Sequence, residues 1–398
     1  MTNSNYDIEF SNRVTQEDFQ GQFLKSILKA ISSSNIISFA GGLPNPISFP
    51  VEEIETAAHK VMKENGVMAL QYSSTEGYLP LREFIASRYR NQGLEASAED
   101  VLITNGSQQA LDILAAVLLN EGDSIIMEKP SYLAALQTFH LYNPKVLSVN
   151  LNSDGADCMQ LKQLVEEYHP KFFYSVPNFQ NPTGLTYTEE IRKQAAEILK
   201  QDRTIFIEDN PYGDLRFSGE SKKSMKYYLG EKCVLVGSFS KIVSPGMRIG
   251  WICTSQKELK KKITDYKQTV DLHTNIFGQM ILSKYLENSN LDEHLKKITS
   301  LYKSQSDYMI ACMEKYFPQN VTYTKPEGGM FLWVTLPESI TAVELFEKAW
   351  EKGVAICPGD PFYQEERNVH TIRLNYTNCD DSIIEKGIRI LGDILKKY

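Results

Sequence analysis

The stretch VGSFSKIVSPGMRIGW, residues 236–251, places a lysine at a turn between two apolar segments. A surface lysine usually has polar neighbours, whereas Lys241 lies between VLVG and IGWIC. Continuous apolar runs of this kind are typical of strands that are covered on both faces of a sheet. The stretch therefore predicts a strand, a turn that carries Lys241, and a second strand. Such a turn is either a plain connection or the position of a reactive amine.

The same alternation of apolar runs and helix-like stretches extends on the N-terminal side of this turn, from about residue 100. Alternating strands and helices predict an α/β domain with a mainly parallel sheet. The predicted strands are VLIT (101–104), SIIME (124–128), FFYSVP (172–177), TIFIE (204–208), VLVG (234–237) and IGWIC (249–253).

The pattern changes after about residue 290, where long charged helices are followed by the separate strands FLWVTL, VAICPG and TIRLNY. This change predicts a second, smaller α+β domain. We therefore expect a large α/β domain over residues 46–290 and a small domain over residues 291–398. An N-terminal segment, residues 1–45, is expected to pack on the active site and the small domain.

Charge and composition exclude several classes of protein for a chain of 398 residues. A net charge of −8 argues against a nucleic-acid partner, since phosphate neutralisation needs a broad basic surface. No signal peptide and no apolar run of about 20 residues is found, so no membrane partner is expected. The six scattered cysteines lack metal-site spacing, which predicts no metal and favours a reducing, cytoplasmic location.

Polar side chains follow four of the predicted strands. In an open α/β sheet, ligands bind beyond the carboxyl ends of the strands, where these side chains would meet. Each one alone has an ordinary interpretation as a helix cap, a turn, a solvated carboxylate or a surface lysine. The four groups are Asn105 to Gln108 after VLIT, Gln180 to Gly184 after FFYSVP, Asp209 after TIFIE, and Ser238, Ser240 and Lys241 after VLVG.

Taken together, these groups suit a phosphorylated ring that carries a basic nitrogen and an aldehyde. The helix start at residues 106–108 offers backbone N–H groups to a phosphate, and Ser238 and Arg248 add donors. The Asp209 carboxylate would keep a ring nitrogen protonated, and Lys241 would form a Schiff base with the aldehyde. Dinucleotide, nucleoside-triphosphate, serine-hydrolase and zinc-protease motifs are absent from the sequence.

With these residues, the chain resembles the fold-type I, pyridoxal-5′-phosphate-dependent class I/II aminotransferases. The nearest subgroup comprises the 2-aminoadipate and kynurenine aminotransferases and the aminotransferase-like domain of MocR-type regulators. The resemblance extends over nearly the whole chain. The matching stretches are ISFAGGLP (37–44), LQYSSTEGYLPLRE (70–83), ITNGSQQALD (103–112), EKPSY (128–132), PNFQNPTG (177–184), EDNPYGDLRF (208–217), GSFSKIVSPGMRIGW (237–251), PEGGMFLWV (326–334), CPGDPFY (357–363) and IRLNY (372–376).

The resemblance implies a large domain with a mainly parallel, seven-stranded type of sheet and a smaller α+β domain. It also implies a homodimer with shared active sites. The implied reaction is transamination between an L-amino acid, of 2-aminoadipate, aromatic or aliphatic type, and a 2-oxo acid such as 2-oxoglutarate. Other reactions of the same cofactor, such as β-elimination by a C–S lyase, and a non-catalytic regulator remain alternatives.

The resemblance also assigns roles to individual residues. Lys241 is implied to bind the cofactor aldehyde and to move the proton between substrate Cα and cofactor C4′. Asp209 is implied to pair with the ring nitrogen, and Tyr212 and Asn181 with the ring hydroxyl. The remaining implied contacts are Gly106, Ser107, Gln108, Ser238, Ser240 and Arg248 at the phosphate, Tyr132 stacked on the ring, Tyr72 at the phosphate of the neighbouring subunit, and Arg373, Asn181 and Gly41 at the substrate.

One position departs from the subgroup. Relatives often carry an arginine, in a stretch such as IREIL, where this chain reads FLKSIL with Lys25. A lysine offers a distal substrate carboxylate only a point charge, whereas arginine offers two parallel donors. Lys25 therefore either contacts the substrate side chain or faces solvent, and the identity of the amino donor depends on which of these is true.

Overall fold

The segments on both sides of Lys241 are strands of one large sheet in the computed structural model, which describes residues 8–15, 21 and 36–398. All six predicted strands are confirmed, with ends that differ by at most two residues. The strands are β1 Ile37–Ser38, β2 Val101–Thr104, β3 Ser124–Lys129, β4 Lys145–Asn152, β5 Gly155–Ala156, β6 Phe172–Ser175, β7 Ile205–Asp209, β8 Cys233–Ser238, β9 Gly250–Cys253, β10 Thr322–Tyr323, β11 Phe331–Thr335, β12 Val354–Ala355, β13 Cys357–Pro358 and β14 Thr371–Asn375.

Helices cover both faces of this sheet and form much of the rest of the described chain. The helices are α1 Asn12–Thr15, α2 Val51–Ala69, α3 Leu79–Asn91, α4 Gly106–Leu118, α5 Leu133–His140, α6 Cys158–Tyr168, α7 Glu189–Lys200, α8 Met225–Leu229, α9 Lys257–Asp271, α10 Ile276–Asn288, α11 Leu291–Tyr316, α12 Ala342–Glu351 and α13 Asp381–Leu395.

The large sheet has the strand order β2-β9-β8-β7-β6-β3-β4-β5. Its centre, from β8 to β4, is parallel, while β9 runs antiparallel to both β2 and β8. Seven of these strands are long, and the eighth, β5, is a two-residue edge. Because β2 and β8 both run antiparallel to β9, the carboxyl ends of β2, β6, β7 and β8 lie at one edge of the sheet, as the sequence predicted.

Strand β4 was not predicted, and its sequence explains why. KVLSVNLN, residues 145–152, alternates buried residues with more exposed ones instead of forming a continuous apolar run. Such alternation fits a strand next to the edge of the sheet, which is covered on one face only. Strands β2, β6 and β8 are buried at every position, β2 even though it lies at an edge of the sheet, which is why their apolar runs were recognisable.

A smaller antiparallel sheet, with the order β10-β11-β14-β13, lies in the C-terminal part of the chain. In its register, Arg373 on β14 is paired with Trp333 on β11 and with Cys357 on β13. Strand β1, from the N-terminal part of the chain, pairs in parallel with β12. This pairing connects the N-terminal part of the chain to the C-terminal part.

None of the helices within the described residues is long and apolar enough to cross a lipid bilayer.

Candidate active site

A cavity of about 470 Å³ lies at the carboxyl edge of the parallel strands, where the two sheets approach each other. Most residues proposed from the sequence line this one cavity, although they are far apart in the chain. Those residues are Gly41, Ser107, Gln108, Tyr132, Asn181, Asp209, Tyr212, Ser238, Ser240, Lys241, Arg248 and Arg373.

Lys241 follows the end of β8 and extends into the cavity. Its Nζ donates a hydrogen bond to the backbone oxygen of Gly42, at 2.8 Å. Burial, together with the positive charges of Arg373 and Arg248, lowers the pKa of Lys241 to about 8. The side chain is therefore an amine that loses its proton far more readily than a surface lysine does.

Asp209 is the last residue of β7 and is only 1% exposed. The hydroxyl of Tyr174 donates to its Oδ2 at 2.8 Å, whereas its Oδ1 has no hydrogen-bond partner among the described residues. Burial, opposed by the Tyr174 hydrogen bond and aided by the charge of Glu128, raises the pKa of Asp209 to about 7. A buried carboxylate with one unsatisfied oxygen is unusual, because burying such a group without a partner is costly.

Arg373 enters the cavity from β14 of the small sheet and is 3% exposed. Its two terminal nitrogens donate to Asn181 Oδ1, at 2.8 Å, and to the backbone oxygen of Ala40, at 2.6 Å. The guanidinium lies over the Phe331 ring, 4.3 Å from its centroid. Asn181 also donates through Nδ2 to the Tyr212 hydroxyl, at 3.4 Å. These contacts fix the plane of the guanidinium in the cavity.

Another part of the cavity is formed by the start of α4 and the turn around Arg248. No side chain of the described residues caps this helix start, so its first N–H groups are free to bind a ligand. Gly106 has φ = 76°, and a Cβ there would lie 2.6 Å from an Arg248 nitrogen, so only glycine fits. Ser238 Oγ donates to Ser240 Oγ at 2.9 Å and accepts the Ser240 backbone N–H at 3.1 Å.

Two further residues line the cavity, Gln108 with an amide that is already hydrogen-bonded and Tyr132 with a neutral ring. The Gln108 amide already donates to Thr138 Oγ1, at 2.5 Å, and to the Ala134 backbone oxygen, at 3.3 Å. Its backbone N–H, in the first turn of α4, is therefore better placed for an anion than its side chain. Tyr132 precedes α5, and burial raises its pKa to about 12, so it remains a neutral aromatic ring.

Two of the described residues that were given roles from the sequence, Gly106 and Tyr72, do not line the cavity. Gly106 lies directly behind it, against Arg248, as described above. Tyr72 is 79% exposed and makes an edge-on contact with His273, with ring centroids 6.0 Å apart. Lys25 lies outside the described residues, so its two alternatives remain open.

Sequence reasoning did not identify Tyr174 and Glu128 beneath the cavity. Glu128 is 2% exposed and has four donors, and Tyr174 holds Asp209 from a neighbouring strand. Both residues lie in strands that were predicted, SIIME and FFYSVP. A glutamate inside a fully buried strand was the available signal, because such a group needs several hydrogen-bond donors. The donors of Glu128 are Ser175 Oγ, the Val176 backbone N–H, Gln180 Nε2 and the Tyr187 hydroxyl.

The chemistry of the cavity fits a phosphorylated pyridine aldehyde. The unsatisfied Asp209 oxygen suits a protonated ring nitrogen, and Lys241 supplies an amine that can react with a carbonyl. The uncapped start of α4 and the Arg248 guanidinium suit a phosphate. All three requirements are thus met by groups that share one cavity.

Comparisons with known proteins agree with this fit. The profile of the family described as "Aminotransferase class I and II" matches residues 35–391. Aromatic-amino-acid aminotransferase 1 of Thermococcus litoralis is 42% identical over 94% of this chain and 91% of its own length. The 2-aminoadipate transaminase of Thermus thermophilus is 37% identical over 95% and 94%. A crystal structure of Pyrococcus horikoshii kynurenine aminotransferase, in complex with PMP, KYN and KYA, has a TM-score of 0.89 at 38% identity, covering 100% of this chain and 97% of that one.

Proposed function

Because the chain belongs to the class I and II aminotransferases, we propose that it moves the amino group of an aromatic, aliphatic or 2-aminoadipate-type L-amino acid to a 2-oxo acid such as 2-oxoglutarate. The enzyme is a pyridoxal-5′-phosphate-dependent aminotransferase of fold type I. The observation that carries the proposal is that the unpaired Asp209 oxygen and the low-pKa amine of Lys241 line the same cavity.

Residues at opposite sides of the cavity would hold the cofactor. When bound, pyridoxal 5′-phosphate supplies a carbonyl that reacts with amines and a ring that accepts the electron pair released at Cα. Asp209 would pair with the ring nitrogen, and Asn181 and Tyr212 would bind the ring hydroxyl. Tyr132 would lie against the ring face. The groups for the phosphate are the first turn of α4 with Gly106, Ser107 and Gln108, together with Ser238, Ser240 and Arg248.

Lys241 would act as the proton carrier. A base must be neutral before it can take a proton, and a pKa of about 8 leaves a substantial neutral fraction near neutral pH. The Gly42 carbonyl, 2.8 Å from Nζ, provides an acceptor that holds the amine within the cavity. The charges of Arg373 and Arg248 keep this pKa low, so the two groups that would bind anions also prepare the base.

Arg373 would bind the α-carboxylate of the substrate. Each terminal guanidinium nitrogen carries two N–H groups and uses one of them, on Asn181 or on Ala40. One N–H on each nitrogen therefore remains for a bidentate contact with a carboxylate. Gly41 lines the cavity beside the Ala40 carbonyl, so the N-terminal segment would border the substrate.

The lining of the cavity supports a donor with an apolar side chain. Leu43, Leu133 and Tyr132 present carbon surface to the cavity, together with Ala134. Burying an aromatic or aliphatic side chain against such a surface is favourable by about 25 cal/mol per Å². The names of two relatives point to aromatic donors and to 2-aminoadipate.

The test is to follow the two half-reactions separately in the purified, cofactor-loaded enzyme. An effective L-amino acid should change the absorbance of the bound cofactor and release the matching 2-oxo acid, and 2-oxoglutarate should reverse the change. Release of ammonia and pyruvate without any acceptor would instead identify a β-eliminating lyase. An absorbance that no amino acid changes would identify a binding protein.

Lys241→Ala provides the first prediction. Without the proton carrier, single-turnover conversion of a good donor should slow by at least ~10⁴-fold, while the cofactor still binds without covalent attachment. Stopped-flow absorbance measures the rate. Lys232→Ala, at a lysine between α8 and β8, is the control and should react at the wild-type rate. Wild-type turnover by the Lys241→Ala enzyme would remove the catalytic assignment.

The assembly, location and domain boundaries are also proposals. A homodimer is supported by exposed apolar side chains near Tyr72, since Val67 is 89% and Leu70 is 73% exposed. In such a dimer Tyr72 would reach the phosphate in the other subunit. All six cysteines are free thiols, which supports a reducing cytoplasm. Pairing of β1 with β12 supports a segment before residue 46 that packs on the small domain, 291–398.

A further inference from the structure

Tyr174 lies beneath the cavity, outside the set of residues that line it. It belongs to β6, is fully buried, and donates its hydroxyl to Asp209 Oδ2 at 2.8 Å. In this structure Asp209 Oδ2 is thereby engaged on the protein side, while Oδ1 is left without a partner among the described residues. The two oxygens of one carboxylate are therefore no longer equivalent.

The position of the Tyr174 hydroxyl is fixed by the sheet and by packing. Tyr174 is in register with Ile207, two residues before Asp209 on the adjacent parallel strand β7. Phe139 of α5 packs edge-on against its ring, with centroids 5.4 Å apart and planes at 78°. The ring is therefore held in place, and the acceptor that its hydroxyl meets among the described residues is Asp209 Oδ2.

Charged and titratable groups act on Asp209 from several elements. Glu128 on β3 opposes ionisation of Asp209 by like charge, and burial opposes it as well. Tyr174 acts in the other direction, because its hydrogen bond favours the charged carboxylate. Tyr132 and Tyr212 face Asp209 from the cavity and stay neutral, since burial and the charge of Asp209 raise their pKa values.

We propose that Tyr174 is a positioning residue for the cofactor: it holds Asp209 ionised and turns the free oxygen of that carboxylate toward the ring nitrogen. The inference rests on the proposed function and deepens it, since the role of Asp209 requires an ionised carboxylate. A neutral carboxyl group would carry its own proton and could not stabilise a protonated ring nitrogen. Tyr174 touches neither cofactor nor substrate and acts through Asp209 alone.

The experiment compares Tyr174→Phe with Tyr187→Phe. Tyr187 is also fully buried and also donates its hydroxyl to a buried carboxylate, Glu128 Oε1, at 2.7 Å. Each variant thus removes one hydroxyl group and one buried hydrogen bond. The dissociation constant of pyridoxal 5′-phosphate is measured on cofactor-free protein from pH 5.5 to 9, and ¹⁵N NMR of ring-labelled cofactor reports the protonation of its nitrogen.

We expect Tyr174→Phe to weaken cofactor binding by about tenfold near pH 7. The dissociation constant falls as Asp209 ionises, and the midpoint pH of this fall should rise by about one unit. The reason is that Asp209 loses the hydrogen bond that favours its ionised form. The ¹⁵N shift should move toward the unprotonated ring. Tyr187→Phe should leave the dissociation constant, its pH dependence and the ¹⁵N shift at wild-type values. Equal effects of the two variants, or no effect of Tyr174→Phe, would overturn the proposal.

A second comparison tests whether Tyr174 acts through Asp209 or through a general effect on the pocket. Asp209→Asn has no carboxylate charge to support, so adding Tyr174→Phe to it should change cofactor affinity less than twofold. A tenfold loss in that background would show that Tyr174 does not act through Asp209. Wild-type protein that fails to bind pyridoxal 5′-phosphate would contradict the proposed function instead, so the two failures are distinguishable.

Discussion

Asp209 and Glu128 are two buried carboxylates in one sheet, with 1% and 2% exposure. They differ in how many hydrogen bonds their oxygens accept. Glu128 has a hydrogen bond on each oxygen, and burial raises its pKa despite them. Asp209 has a single donor, Tyr174, and one oxygen with no partner among the described residues. The fully bonded carboxylate faces the protein, whereas the under-bonded one faces the cavity.

This difference separates a structural charge from a functional one. A fold that buries a carboxylate for stability surrounds it with donors, as around Glu128, because an unmade hydrogen bond costs about 1–3 kcal/mol. A carboxylate that binds a ligand keeps one oxygen free for it. While the ligand is absent, the protein is destabilised by the hydrogen bond that this oxygen does not make. Glu208 Oε1 and Asp360 Oδ2 are also buried without a partner among the described residues, so what distinguishes Asp209 is the combination of a free oxygen and a place in the lining of the cavity.

The largest expected effect is on catalysis. Asp209→Asn should lower kcat by ~10³-fold, because an amide cannot stabilise the protonated ring nitrogen. Glu128→Gln should keep kcat within about tenfold, since Glu128 does not line the cavity. Steady-state assays with the best donor and 2-oxoglutarate measure both values. Similar losses in the two variants would remove the distinction between the carboxylates.

The second largest effect is also expected for Asp209→Asn, on the stability of the cofactor-free protein. Whereas this substitution should lower kcat, it should increase the free energy of unfolding. The pKa of Asp209 is about 7 in the folded protein and near 3.8 when unfolded, so the unfolded chain ionises first as pH rises. Stability is therefore lost between about pH 4 and pH 7. Asp209→Asn escapes this loss and should be more stable than wild type at pH 8 by up to about 4 kcal/mol.

Urea unfolding of both cofactor-free proteins at pH 4 and pH 8 measures this difference. Because other groups titrate equally in the two proteins, their difference isolates Asp209. It should fall below about 1 kcal/mol at pH 4, where the folded-state carboxyl is neutral and the unfolded-state carboxyl is only about half ionised. A difference that stays constant with pH would mean that Asp209 is not held in a raised-pKa environment.

The smallest effect is expected for the stability of Glu128→Gln. The new amide oxygen can replace Oε1, which accepts from Ser175, Val176 and Tyr187. The amide nitrogen then faces the Gln180 amide nitrogen, which loses one of its two acceptors and keeps the Pro130 backbone oxygen. We expect a loss of about 1–2 kcal/mol at pH 7 in urea unfolding. A gain in stability, as for Asp209→Asn, would contradict the structural role of Glu128.

Much of the fold and the candidate site was predictable because its signals are local. Fully buried strands such as β8 appear as continuous apolar runs, and the residue after each run marks the edge of the sheet. Lys241 and Asp209 were found in this way, since each lies at the end of a predicted strand. The helix start at Gly106 was also readable, because a glycine directly after a strand indicates a close backbone approach.

The parts that were not predicted depend on strand register and on distant partners. The sequence does not tell which strand lies beside β7, so the contact between Tyr174 and Asp209 was not visible. The donors of Glu128 are at least 47 residues away, which no local pattern records. The antiparallel direction of β9 was likewise hidden, because a buried strand has the same apolar run in both directions.

The contacts of Arg373 have a consequence for the order of synthesis. This side chain bonds to Ala40 from the first part of the chain and to Asn181 from the middle, and it arises from β14 near the C-terminus. A nascent chain can form the strands that carry Asp209 and Lys241 while β14 is still inside the ribosome, since domains fold as units during translation. The cofactor pocket can therefore take shape before its carboxylate-binding arginine arrives, and a chain that stops short of residue 371 would retain the lysine without the group expected to orient its substrates.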